Sequence, residues 1–114
     1  MLQGLVAQRR VLIAAHGYCF DGITSAALFT KLRSSLNDDQ LQFSYRSCGY
    51  SPKLKSIPDR WLKGDENAIV DFKYAASKRL HWYFDHHVTA FDSERQRRNS
   101  HLDKEHLFYD PHYT

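Results

Sequence analysis

Apolar and polar positions along the chain fall into short blocks whose period changes from block to block. Val11-Leu-Ile-Ala-Ala15 is a continuous apolar run of the length expected for a strand buried on both faces. It ends at His16-Gly17, and Cys19-Phe20-Asp21-Gly22 reads as a tight loop. From Ile23 to Leu36 the apolar residues Ile23, Ala26, Ala27, Phe29, Leu32 and Leu36 approximate helical spacing, which predicts a helix. Asp21 stands where an acidic residue complements a helix N-terminus, and Asn37-Asp38-Asp39 is the expected stop.

Leu41 to Arg46 alternates apolar with polar and predicts a second strand. Ser47 to Lys55 reads as a loop, Ser56 to Lys63 as a stretch with a helical turn, and Gly64-Asp65-Glu66 as a turn. Ala68-Ile69-Val70 predicts a third strand that stops at Asp71, and Tyr74 to Leu80 a brief helix. His81 to Phe84 predicts a fourth strand, and Leu107-Phe108-Tyr109 a fifth. Between the last two, Thr89 to Ser100 reads as a solvated helix or loop. Strands alternating with helical segments point to an α/β class, a Rossmann-like layered fold. Its sheet would be mostly parallel, with four to five strands and helices on its faces.

Composition narrows the class without naming a function. At 114 residues, 42% hydrophobic and 25% charged, the chain suits one globular domain. A net charge of +3 is too small to argue for nucleic-acid binding by itself. Two cysteines are too few for a disulfide framework, and no run approaches membrane-spanning length, so a cytoplasmic protein is the expectation.

The chemistry gathers at the ends of the predicted strands, where parallel sheets place their sites. His16 ends the first strand, with Cys19 and Asp21 in the loop after it. Asp71 ends the third, and Asp85-His86-His87 follows the fourth. Imidazoles mixed with carboxylates suit manganese, iron, cobalt or zinc. A carboxylate ending a central strand is placed to bridge two ions, about 3.5–4 Å apart in sites that clamp a phosphoryl oxygen.

Three motifs in order then carry a family resemblance: His16-Gly-Tyr-Cys-Phe-Asp21-Gly-Ile-Thr-Ser25-Ala-Ala-Leu28, Ile69-Val-Asp71 and Phe84-Asp85-His86-His87. Over Val11 to Val88 the chain resembles the DHH phosphoesterases, which include RecJ-type exonucleases, oligoribonucleases, exopolyphosphatases and family II inorganic pyrophosphatases. The resemblance implies that His16 binds a first ion, that Asp71 bridges two, and that Asp21 and His86 bind the second. His87 would meet the scissile phosphate, as substrate-binding and catalytic residue, and Asp85 would orient a histidine. The cofactors implied are two Mn2+ ions, with Mg2+, Co2+ or Zn2+ as alternatives, and the nucleophile a metal-bound hydroxide attacking phosphorus in line.

The implied substrate is a phosphodiester or phosphoanhydride in a phosphate-containing small molecule or a short single-stranded nucleic acid. No membrane partner is implied, and a homodimer stays open. Two departures from the family pattern matter. Cys19 stands where a first aspartate belongs, either as a ligand for a softer ion or as a packing residue. The family's fourth motif and its C-terminal substrate-binding domain are not found after Asp110, so residues 1–114 read as a single, partial domain of this kind. The alternative function is accordingly a catalytically silent metal- or nucleotide-binding fragment. Arg95, Arg97 and Arg98 would attract a polyanion or simply form a solvated face.

Overall fold

Two rows of side chains alternate along the first strand and decide the architecture. Val11, Ile13 and Ala15 enter one apolar cluster while Leu12 and Ala14 enter another, so both faces of the strand are covered. Such a strand belongs in the interior of a sheet. The computed structural model, which describes residues 8–17, 20–36, 40–49, 56–87, 89–103 and 105–110, places it there. β1 (Arg9–His16) pairs in parallel with β2 (Leu41–Cys48) on one side and with β3 (Glu66–Val70) on the other. β4 (Trp82–Asp85) and β5 (Leu107–Tyr109) extend the sheet beyond β3. All pairings are parallel, in the order β2-β1-β3-β4-β5, and the fold is an α/β layered one.

The chain runs outward from β1 to β2 and then back across β1 to β3. That reversal opens a crevice beyond the C-terminal ends of β1 and β3, the place where ligands bind in open parallel sheets. β3 is buried at every residue, as a strand with neighbours on both sides and cover on both faces must be. It begins at Glu66, where the sequence predicts a turn; the carboxylate is held in the sheet by the arginines described below.

One face is covered by α1 (Phe20–Ser35). Its residues Ala26 and Phe29 pack on Val11, Ile13, Ala68 and Val70. The Phe29 ring meets Trp82 edge-on at 5.5 Å between centroids. At the other end of the helix, a Cβ added to Gly22 would fall 1.7 Å from the carbonyl oxygen of His16. Only glycine fits there, and its absence of a side chain lets the first turn of α1, with Asp21, press against the end of β1.

The opposite face is covered by irregular chain. Ile57, Leu62, Phe72, Tyr74, Ala75 and Leu80 bury themselves over Ala14, Ile69 and Tyr83. The brief helix expected over Tyr74 to Leu80 is not formed. Its backbone donors go elsewhere: Tyr74 N–H to the carbonyl of Ala90 at 2.8 Å, Ser77 N–H to Ala75 and Leu80 N–H to Ser77. Tyr74 stands edge-on to Tyr83 at 5.2 Å, and Tyr74 and Leu80 are both almost wholly buried. Each such burial stabilises by about 1.5–3 kcal/mol, more than a single turn of helix offers. The expected turn in Ser56–Lys63 is a 3-10 turn at Asp59–Trp61. α2 (Glu94–Arg98) is one capped turn, in which the Ser93 hydroxyl accepts from Gln96 N–H at 3.1 Å.

The N-terminal edge of the sheet closes on Glu66. Arg33 in the last turn of α1, Arg9 at the start of β1 and Trp82 at the start of β4 all donate to its carboxylate, at 2.5–3.0 Å. Burial alone would raise this carboxyl, but these donors hold it down, at about 2. Cys48, free and buried beneath the same layer as Leu62 and Tyr74, is an inert thiol pushed up by burial to about 11. Among the described residues no helix is long and apolar enough to cross a membrane.

Candidate metal centre

β3 and β4 run side by side and stop within a residue of one another, which brings Asp71 and the Asp85-His86-His87 triplet together. Asp71 N–H still pairs with the Phe84 carbonyl at 2.9 Å. The chain then leaves the strand through a left-handed conformation, φ 53° at Asp71, the one such non-glycine residue among those described. Aspartate tolerates this region better than most residues, yet at a cost of about 1 kcal/mol or more. The bend ends β3 abruptly.

β4 runs one residue further than its aromatic pattern suggests, and Asp85 is still in the strand, opposite Tyr109 of β5. His86 and His87 then lie beyond the sheet, half-exposed, above the buried carboxylates of Asp71 and Asp85. One ligand atom from each of these four residues lies within 4.8 Å of all the others. His86 Nε2 is 3.6 Å from Asp71 Oδ1. That is too long for a hydrogen bond and close to the separation of two ligands sharing an ion with bonds of about 2.0–2.2 Å. Imidazole plus carboxylate is also the donor mixture that first-row divalent ions take. The residues therefore fit a metal ion.

The second imidazole is held differently. His87 Nδ1 lies 2.6 Å from Asp85 Oδ1 and 3.8 Å from Asp71 Oδ1. Because the acceptor at 2.6 Å is a carboxylate, Nδ1 carries the proton and Nε2 is left facing away from Asp85. The Tyr83 hydroxyl gives its one proton chiefly to the Phe72 carbonyl at 2.6 Å and shares it weakly with the other oxygen, Asp85 Oδ2, at 3.3 Å. Burial raises the Asp85 carboxyl above the usual range; the His87 hydrogen bond acts against this, and the neighbouring Asp71 charge adds to it.

Comparison of the chain with protein-family models, with curated proteins and with solved structures gives no match.

The other residues singled out in the sequence are distributed around this group. His16 ends β1 one step beyond the Ala15–Val70 pair, which sets it across from Asp71. Its ring stacks on Phe72 at 6.4 Å. His16 is nevertheless outside the four-residue group, as is Asp21, which is exposed in the first turn of α1. Cys19 lies outside the described residues. Arg95, Arg97 and Arg98 sit on α2, where Arg97 pairs with Glu94 at 3.0 Å and lies over the Tyr109 ring. Tyr83 was not anticipated. Its signal was available: side chains two apart on a strand share a face, so Tyr83 and Asp85 must.

Proposed function

We propose that this chain is a metal-dependent phosphoesterase domain of the DHH kind, acting on a phosphodiester or phosphoanhydride. The observation that supports the reading best is the meeting of Asp71, Asp85, His86 and His87 at the ends of two adjacent parallel strands. Asp71 would bridge two ions, with His16, at the end of β1, on the first and His86 and Asp21 on the second. Divalent ions bound there supply Lewis acidity toward a phosphoryl oxygen and lower the pKa of water.

The chain's own part is positioning and proton management. Asp85 fixes the His87 ring through Nδ1, so His87 Nε2 is the atom that meets the substrate. In the protonated ring Nε2–H hydrogen-bonds a phosphoryl oxygen and passes its proton to the leaving oxygen as the ester bond breaks. Tyr83, through its hydroxyl, holds Asp85 against the backbone that follows Asp71. The site is shallow, with both imidazoles more than a third exposed, which suits a terminal phosphate or a short flexible strand.

The test is hydrolysis of bis-p-nitrophenyl phosphate by manganese-loaded protein. Turnover is expected, and Asp71→Ala is expected to lower it by at least about a hundredfold. A second reading, a silent metal- or nucleotide-binding fragment, draws on the position of His16 and Asp21 outside the four-residue group. Tight metal binding without turnover on any phosphodiester, nucleotide or polyphosphate would select it.

A further inference from the structure

At the opposite edge of the sheet a cavity of about 370 Å3 opens beside the starts of β1, β3 and β4. The five residues of β3 separate it from the metal centre by about 16 Å. Nitrogen side chains dominate its lining: Arg9, Lys78, His81, His101 and His106, set against the carboxylates of Glu66 and Asp103.

Glu66 is fully engaged, and Asp103 is engaged through one oxygen. Glu66 Oε1 accepts from Arg9 and Arg33, and Oε2 from Arg33 and Trp82, so all four of its strong acceptor positions are filled. Two guanidinium groups around one carboxylate leave that cluster one positive charge in excess. Asp103 Oδ1 accepts from His106 Nδ1 at 2.7 Å and from the N–H groups of Glu105 and His106. Lys78, in contrast, forms none of the ion pairs recorded for the described residues.

Of the three imidazoles, two spend their ring N–H within the protein, His101 on the Leu80 carbonyl and His106 on Asp103, and His81 is the one that adds a donor. His81 Nδ1 accepts from Asn67 N–H at 3.0 Å, which puts its proton on Nε2. His101 Nε2 faces the Leu80 carbonyl at 2.8 Å and so carries its proton there. Among the described residues, the three do not bring their ring nitrogens together as a metal-binding group; the one such group is at the other end of the sheet. A concave site with excess positive charge, N–H donors and an aromatic wall, where Trp82 and His106 lie 4.3 Å apart, selects an anion. Its volume falls within the range of small-molecule sites, about 300–1,000 Å3, and is larger than a lone phosphate needs.

We propose that this N-terminal-edge cavity is a second ligand site, for a small phosphorylated molecule. It stands independently of the metal centre and of the reaction proposed there. Lys78 supplies the free charge, Arg9 and His81 the directed donors, and the Trp82–His106 pair a surface for the rest of the ligand.

The test uses protein stripped of metal, with the chelator dialysed away, so that no ion at the far edge can recruit an anion. Inorganic phosphate, pyrophosphate and ADP are titrated separately at low salt, followed by amide and indole NMR shifts. Saturable shifts at Trp82, Lys78 and residues 101–106 are expected for at least one of the three, and the tightest binder identifies the source of the phosphate. Lys78→Glu, an exposed change that leaves the fold intact, is expected to weaken binding about tenfold, and His106→Gln to weaken it less. No saturable shift with any of the three, shifts centred on residues 85–87, or equal affinity in Lys78→Glu and wild type would overturn the proposal.

Discussion

Glu66 and Asp85 sit at opposite ends of one sheet, both about 5% exposed, and their surroundings treat them in opposite ways. Glu66 receives two guanidinium groups and an indole N–H, and its carboxyl is held down at about 2. Asp85 receives an imidazole and a phenol hydroxyl, and burial lifts its carboxyl. The first is a closed ion cluster that ties α1, β1, β3 and β4 together. The second is a buried acid whose partner, His87, is itself half-exposed and keeps its second ring nitrogen out of that contact. A carboxylate left with partners this weak lowers stability, and such sites are where function concentrates.

That contrast is broken most severely from the Glu66 side. Glu66→Ala leaves Arg33 buried without its carboxylate, and a loss of about 3–5 kcal/mol is expected by urea denaturation. The same cluster sets a pH dependence whose sign is fixed. Glu66 is depressed from 4.5 to about 2 on folding, so its contribution is present above pH 4.5 and is lost as pH falls toward 2. That contribution is about 3 kcal/mol, and Glu66→Gln should flatten the acid limb of the stability curve by a comparable amount.

From the Asp85 side the order of effects reverses. Asp85→Asn should change stability by less than about 1 kcal/mol while lowering phosphodiester turnover about ten- to hundredfold, because His87 loses the carboxylate that fixes its tautomer. Parallel denaturation and rate measurements separate the two. A loss of stability as large as that of Glu66→Ala would erase the distinction between the ends. The smallest effect is expected at the bend. Asp71→Gly places glycine at φ 53° and should stabilise by about 1 kcal/mol, read as a rise in Tm, while removing metal binding.

Much of the scaffold was legible because the strands carry their own signal. Val11–Ala15 had to be buried on both faces, and the runs around Leu41, Ala68, Trp82 and Leu107 each appear as a strand within two residues of the expected ends. The parallel order, with His16, Asp71 and Asp85 at one rim, follows from strands separated by helical or long connections. Tyr74–Leu80 was misread because its apolar spacing fits a helix as well as an irregular layer. Nothing local records that Tyr74 N–H would find the Ala90 carbonyl. Glu66 was misread for a related reason: a carboxylate after Gly64-Asp65 looks like a turn until Arg33, far off in sequence, is brought beside it.

Within the site, Asp71 and the Asp85-His86-His87 triplet come together, while His16 and Asp21 stay outside their group and Cys19 lies outside the described residues. The resemblance implies an ion ligand in His86 and a phosphate contact in His87, and in the structure the bend after β4 sends His86 toward Asp71 and commits His87 Nδ1 to Asp85. Which nitrogen of each ring is engaged depends on ring orientation, which a string of residues does not carry.

The central claim is that Asp71 and His86 hold a divalent ion. Titration of Mn2+ into metal-stripped protein, followed by calorimetry, tests it most directly. Saturable binding is expected in the wild type, with a loss of at least about tenfold in affinity in both Asp71→Ala and His86→Ala and with far-UV circular dichroism unchanged. Absence of Mn2+, Co2+ and Zn2+ binding by the folded wild type, or undiminished binding by both variants, would contradict it.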